Sequence, residues 1–150
     1  MKILMVCLGN ICRSPLAEGI MQNKIDEQGL DWSVDSAGTG SWHVGEKPDQ
    51  RGVEVAQKNG IDISNQRSRQ FTASDLKEFD LIFAMDSSNY RNILDNANSK
   101  EEEGKIEMIM NVVKPGYNQN VPDPYYDNDG FDLVFKMLDE ACEKVIERSI

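Results

Sequence analysis

The sequence predicts an α/β fold: a single domain over residues 1–150, built on a mainly parallel, four-stranded twisted sheet with helices on both faces. Three observations point there. Short apolar runs of strand formers, residues 2–7 (KILMVC) and 81–85 (LIFAM), read as strands buried on both faces. Segments with apolar residues at helical spacing alternate with them. The chain of 150 residues, 39% hydrophobic and 28% charged, shows no internal repeat or linker and has the length of one ordinary domain. A core of that size needs no disulfide or metal staple.

In chain order, residues 2–7 form the first strand and residues 8–14 a compact loop, with Gly9 supplying the turn. Pro15 suits the first turn of a helix. That helix carries Leu16, Ile20, Met21 and Ile25 on one side and ends at Gly29. Residues 32–36 read as the second strand. Residues 37–48 are a Gly-rich loop with Trp42 and the single histidine, His43. Residues 49–59 form a helix stopped by Gly60, and Thr72–Asp75 resembles a capping box opening another. The third strand, 81–85, precedes a helix over 87–94. Residues 96–104 read as a polar, acidic surface segment and 105–110 as the fourth strand. Residues 111–129 form a long loop with Pro115, Pro122 and Pro124. The last helix, 131–148, presents an apolar face that includes Phe131, Leu138, Cys142 and Ile146. In such sheets the site lies beyond the carboxyl ends of the strands, which brings the loops after Cys7, Ser36, Met85 and Met110 to one edge.

The net charge of −10 argues against a nucleic-acid or anionic-membrane partner. Any anionic ligand then needs a local positive site. The apolar run 3–8 is too short for a signal peptide and no stretch reaches transmembrane length, so a cytoplasmic location is expected. The three cysteines, Cys7, Cys12 and Cys142, fit reducing surroundings better than a disulfide framework. Cys7, Cys12 and His43 lack metal-ligand spacing, so no metal or other cofactor is expected.

The segment from Cys7 to Ser14 (CLGNICRS) runs from a buried strand into a helix N-terminus. A tight loop there turns backbone N–H groups of Leu8, Gly9, Asn10, Ile11 and Cys12 inward, with the positive helix end behind them: an anion cradle. Arg13 adds a planar fork for phosphate oxygens. The same surroundings favour the thiolate of Cys7, which makes it a nucleophile beneath a bound phosphate.

Cys7 to Pro15, followed by Leu16-Ala17-Glu18, resembles the signature of the low-molecular-weight protein tyrosine phosphatases. The resemblance extends to Asp35–Thr39, to DLIFAMDSSN at 80–89, to VPDPYY at 121–126, and, in GSWHVG at 40–45, to bacterial members. It implies hydrolysis of phosphotyrosine through a cysteinyl-phosphate intermediate. It also implies a phosphotyrosine-containing protein as partner, such as the tyrosine kinases of bacterial polysaccharide export; a monomer is expected.

Within that framework Cys7 is the nucleophile, Arg13 and the loop hold phosphate, and Asp123 is the general acid and base, a role the resemblance shares with the chemistry of a phenolate leaving group. Asp-Pro is also an ordinary turn, the alternative for Asp123. Ser14 is placed to donate to the Cys7 thiolate and Asn10 to pin the loop; the resemblance extends that support to Ser36. Some members carry a His near residues 64–67, where this chain offers Gln66 as a substitute. Ile11, Trp42, Tyr125 and Tyr126 are candidate walls for the substrate ring; for the aromatics the alternative is cover for the sheet edge. Cys12 is either a resolving thiol for an oxidised Cys7 or a small buried residue behind the cradle. Cys142 is expected in the core and His43 as a loop residue. Ile11 is further expected to favour phosphotyrosine over phosphoarginine, because an apolar wall leaves guanidinium N–H groups unpaired.

Overall fold

The computed structural model describes residues 1–127 and 129–150. Four parallel strands form one sheet in the order β2–β1–β3–β4: β1 Lys2–Cys7, β2 Ser33–Gly38, β3 Leu81–Ala84 and β4 Ile106–Met108. The helices are α1 Arg13–Glu27, α2 Gln50–Lys58, α3 Asp75–Glu78, α4 Ser87–Leu94, α5 Lys100–Glu103 and α6 Gly130–Ser149.

Strand alternation sorts the core into two layers. Ile3, Met5, Cys7 and Phe83 face α1, α2 and α6, while Leu4, Val6, Ile82 and Ala84 face Leu76 and Phe79 around α3 and Ile93 of α4. Both faces of β1 and β3 are therefore dry, which is why their sequences are continuously apolar. Cys142 lies in this core, and burial pushes its thiol up to about 12.

Several boundaries differ from the sequence expectation for local reasons. The second strand runs on to Gly38, because a Cβ there would lie 2.7 Å from the Leu8 carbonyl oxygen, and only glycine lets the two backbones approach. The fourth strand stops at Met108, where the chain turns into a 3-10 segment, Ile109–Val112. The expected box at Thr72–Asp75 is half formed: Asp75 accepts from the Thr72 N–H at 2.9 Å, but α3 is a single turn and the same carboxylate grips Arg69 at 3.1 Å. The segment 96–104 is not featureless. Ser99 accepts from the Glu102 N–H at 3.1 Å and Glu102 from the Asn98 N–H at 3.0 Å, which caps α5. The long loop 111–129 contains a 3-10 turn, Pro124–Tyr126; its Asn128 lies outside the described residues.

Loops after all four strands meet at the carboxyl edge. They carry Cys7–Arg13, then Trp42 and His43, then Asp86, then Val121–Tyr126.

Candidate active site

Cys7 ends β1 and is 2% exposed. The chain then wraps around its sulfur: the Asn10 N–H points at Sγ from 3.3 Å and the Ser14 hydroxyl lies 3.0 Å away. The residue that makes the turn is Asn10, with φ of 56°, and not Gly9 as the sequence suggested. Asparagine tolerates that left-handed backbone. Space is tight at Gly9, where a Cβ would lie 3.0 Å from the His43 ring. Arg13 opens α1, and no side chain caps the helix, so its first N–H groups remain available to an anion.

Hydrogen-bond direction in the support network follows from Asn10. Its Oδ1 accepts the Arg69 N–H at 3.0 Å, which fixes the amide and leaves Nδ2 to donate to Ser14 Oγ (2.8 Å) and Ser36 Oγ (2.9 Å). With a donor already on its oxygen, Ser14 can give its own proton to Cys7 Sγ at 3.0 Å or to the Ala37 carbonyl at 3.5 Å, and the sulfur is the nearer acceptor. Ser36 in turn donates to Glu18 Oε1 at 2.7 Å. Glu18 thus closes the network. Gln66, the expected substitute, instead donates to the Pro15 carbonyl at 3.1 Å and takes no part. Burial, with Asp35 adding to it, pushes the Glu18 carboxyl up to about 7 against the pull of the Ser36 hydrogen bond and Arg69.

Arg13 is 3% exposed. One nitrogen donates to Asp86 Oδ2 at 2.7 Å and to the Val121 carbonyl at 3.0 Å; another lies 3.9 Å from Asp123 Oδ2. Asp86 also accepts from the Asn89 N–H at 2.8 Å, capping α4. The Val121 N–H donates to the Met85 carbonyl at 2.9 Å, so β3 and Arg13 together fix the start of the Asp123 loop. Asp123 Oδ1 accepts from the Tyr125 N–H at 3.1 Å, leaving Oδ2 toward Arg13. From behind, Arg51 holds this loop: it donates to the Tyr125 carbonyl at 3.0 Å and stacks 4.8 Å from the Phe131 ring.

A pocket of about 260 Å³ opens over Cys7. Of the expected site residues, Cys7, Leu8, Gly9, Ile11, Cys12, Arg13, Trp42, Asp123, Tyr125 and Tyr126 line it, while Asn10, Ser14 and Ser36 lie behind it. The Trp42 indole rests on Gly40, and the Tyr125 and Tyr126 rings meet edge to face at 5.0 Å. Burial first, then the nearby Asp49, Cys7 and Asp123, push the Cys12 thiol upward while Cys7 is reduced. Three contributors escaped the sequence reading. Asp86 and Glu18 reach the site from distant positions with no local pattern. His43, placed in a loop, also lines the pocket, and its Nδ1 lies 2.9 Å from Glu46 Oε2.

A thiol nucleophile beneath an anion cradle at the edge of a parallel sheet defines a phosphoric monoester hydrolase of the cysteine type. The family model described as low molecular weight phosphotyrosine protein phosphatase matches residues 2–149, and the chain belongs to that family. It is 45% identical over 143 residues to the low molecular weight phosphotyrosine protein phosphatase of Schizosaccharomyces pombe, covering 92% of this chain and 90% of that one. Among solved structures, the protein tyrosine phosphatase of Entamoeba histolytica superposes with a TM-score of 0.92 at 41% identity, covering 99% and 96% of the two chains. A Drosophila arginine phosphatase superposes with a TM-score of 0.91 at 35% identity, covering 99% and 97%.

Glu18 gives a test of the network. Its proton is bound more tightly in the folded chain, so wild-type stability falls as pH rises from about 4.5, the unfolded value, to about 7. Glu18→Gln keeps an acceptor for Ser36 but cannot titrate. Denaturant unfolding should therefore show the variant gaining on wild type between about pH 5 and pH 8. A difference independent of pH would contradict the burial of this carboxyl.

Proposed function

We propose that this protein hydrolyses phosphotyrosine in a protein substrate through a phosphorylated Cys7. The observation that carries the reading is the Cys7 sulfur, held by the Asn10 N–H and the Ser14 hydroxyl at the floor of a pocket also lined by Arg13 and Asp123. In the first step Sγ attacks phosphorus, the Sγ–P bond forms and the P–O bond to the phenol breaks. Arg13 and the loop N–H groups hold the charge of the transferring phosphoryl group. The phenol has a pKa near 10 and leaves well only if protonated; Asp123 supplies that proton. In the second step water attacks phosphorus, Asp123 takes its proton, and the Cys7 thiolate leaves, steadied by Ser14. No step requires a cofactor.

Ile11, Trp42, Tyr125 and Tyr126 form the walls for the aromatic ring in this reading. The substrate is a phosphotyrosine-bearing protein, a bacterial tyrosine kinase being one candidate. Every group the reaction uses comes from one copy of the chain, which suits a monomer. Its three unpaired thiols suit the cytoplasm. Among the described residues no helix is long and apolar enough to cross a membrane.

Asp123→Asn should slow turnover by roughly 10²–10⁴-fold, the usual contribution of general acid–base catalysis. The loss should be steepest for esters of weakly acidic phenols. Equal losses across phenols of widely different acidity would show that Asp123 is not the acid of the first step.

Phosphoarginine is the second reading, favoured by the likeness to the arginine phosphatase structure. Ile11 decides against it. Its side chain, 9% exposed, lines the pocket and offers no acceptor to guanidinium N–H groups. Each donor buried there unpaired costs about 1–3 kcal/mol. Steady-state kcat/KM should rank phosphotyrosine far above phosphoarginine and phosphoserine, and Ile11→Thr should raise phosphoarginine relative to phosphotyrosine. A wild-type preference for phosphoarginine would reverse the substrate assignment while leaving the Cys7 chemistry in place.

A further inference from the structure

The catalytic pocket does not stand alone on its edge of the sheet. Leu8 and Trp42 are shared with a cleft of about 460 Å³. Leu8, Arg13 and Asp123 are shared with a second, of about 240 Å³. Both run along α4: Ser88 and Asn89 line the smaller cleft, and Asn92, Asp95 and Asn96 the larger. Ser88, Asn92 and Asp95 are spaced four and three residues apart, so they stand on one face of the helix. Through these shared lining residues the two clefts adjoin the catalytic pocket, a candidate channel past the phosphate site.

The chemistry of this channel is that of an acceptor surface. In the larger cleft the ionisable side chain is Asp95, which forms no ion pair among the described residues. It sits at the C-terminal end of α4, where the helix carbonyls add to its negative field. Arg91, in the last turn of α4, lines a separate cleft with Tyr90 and Glu107 and leaves Asp95 uncompensated. In the smaller cleft Arg13 is already matched by Asp86.

We propose that the channel along α4 holds the polypeptide flanking the phosphotyrosine, and that it selects a lysine or arginine near that residue by pairing its cation with Asp95. The proposal rests on the phosphotyrosine reading of the pocket. The spacing follows from geometry. The catalytic pocket and the cleft holding Asp95 share Leu8 and Trp42, and an extended chain advances about 3.3 Å per residue, so the basic residue is expected within a few positions of the phosphotyrosine. Selection of this kind gives an acidic protein a way to discriminate among phosphoproteins that all present the same phosphorylated ring.

The test compares phosphotyrosyl peptides of equal length carrying Lys or Glu at each of the positions from three before to three after the phosphotyrosine, with p-nitrophenyl phosphate as the small reference substrate. At low salt, wild type should prefer Lys to Glu in kcat/KM by about three- to tenfold at one or more positions, the scale of exposed ion pairs, and the preference should fade as salt rises. Asp95→Asn should bring the ratio toward one and Asp95→Lys should invert it. A Lys-to-Glu ratio that is the same in wild type and Asp95→Lys, while both proteins turn over p-nitrophenyl phosphate, overturns the channel and leaves the phosphatase reading standing. Absence of turnover of any aryl phosphate overturns both.

Discussion

The ion pair between the buried Arg13 and the half-buried Asp86 organises the rest of the site. A guanidinium 3% exposed to solvent is tolerable only with a close counter-charge, and Asp86 supplies it at 2.7 Å. The two residues lie on different loops, after β1 and after β3, and the Val121 carbonyl brings in the loop after β4. Asp86 caps α4 with its other oxygen. The pair therefore sets the start of α4 and the approach of the Asp123 loop while holding the Arg13 guanidinium in place beside the pocket. It also resolves the conflict between an anionic substrate and a chain of net charge −10. What meets an anion at the pocket is a set of directed donors, the Arg13 fork and the first N–H groups of α1, more than net charge.

A second layer of order lies under the sulfur. Asn10 adopts the left-handed backbone that lets the loop close, and its side chain spends both amide protons on Ser14 and Ser36. Because the amide is fixed by the Arg69 N–H, Asn10 donates to both hydroxyls, which leaves each serine its own proton to give onward. The outcome is a hydroxyl within 3.0 Å of the Cys7 sulfur, a donor able to steady it as a leaving group.

Much of this was legible in the sequence because it rests on local patterns. The two dry faces of β1 and β3 made continuous apolar runs, the loop from Cys7 to Ser14 carried its chemistry in order, and the helix expected over 87–94 is α4. What was missed depends on distance or on rivals for one signal. Glu18 and Asp86 act on partners 18 and 73 positions away, and no local spacing marks them. Gly9 drew the turn that Asn10 makes, since the sequence does not reveal that His43 fills the space beside it. The cap of α5 at Ser99 and Glu102 was present as a readable box, but the acidic composition around it suggested surface chain.

The central claim is that the phosphoryl group passes through Cys7. The most direct measurement is an acid quench of wild-type protein mixed with a phosphotyrosyl peptide, within a single turnover, followed by mass spectrometry of the digested chain. The predicted result is a single phosphoryl group on the peptide containing Cys7, appearing and decaying at rates that account for phosphate release. Turnover with the group found on another residue would contradict the account. So would release of phosphate from a Cys7→Ser variant at the wild-type rate.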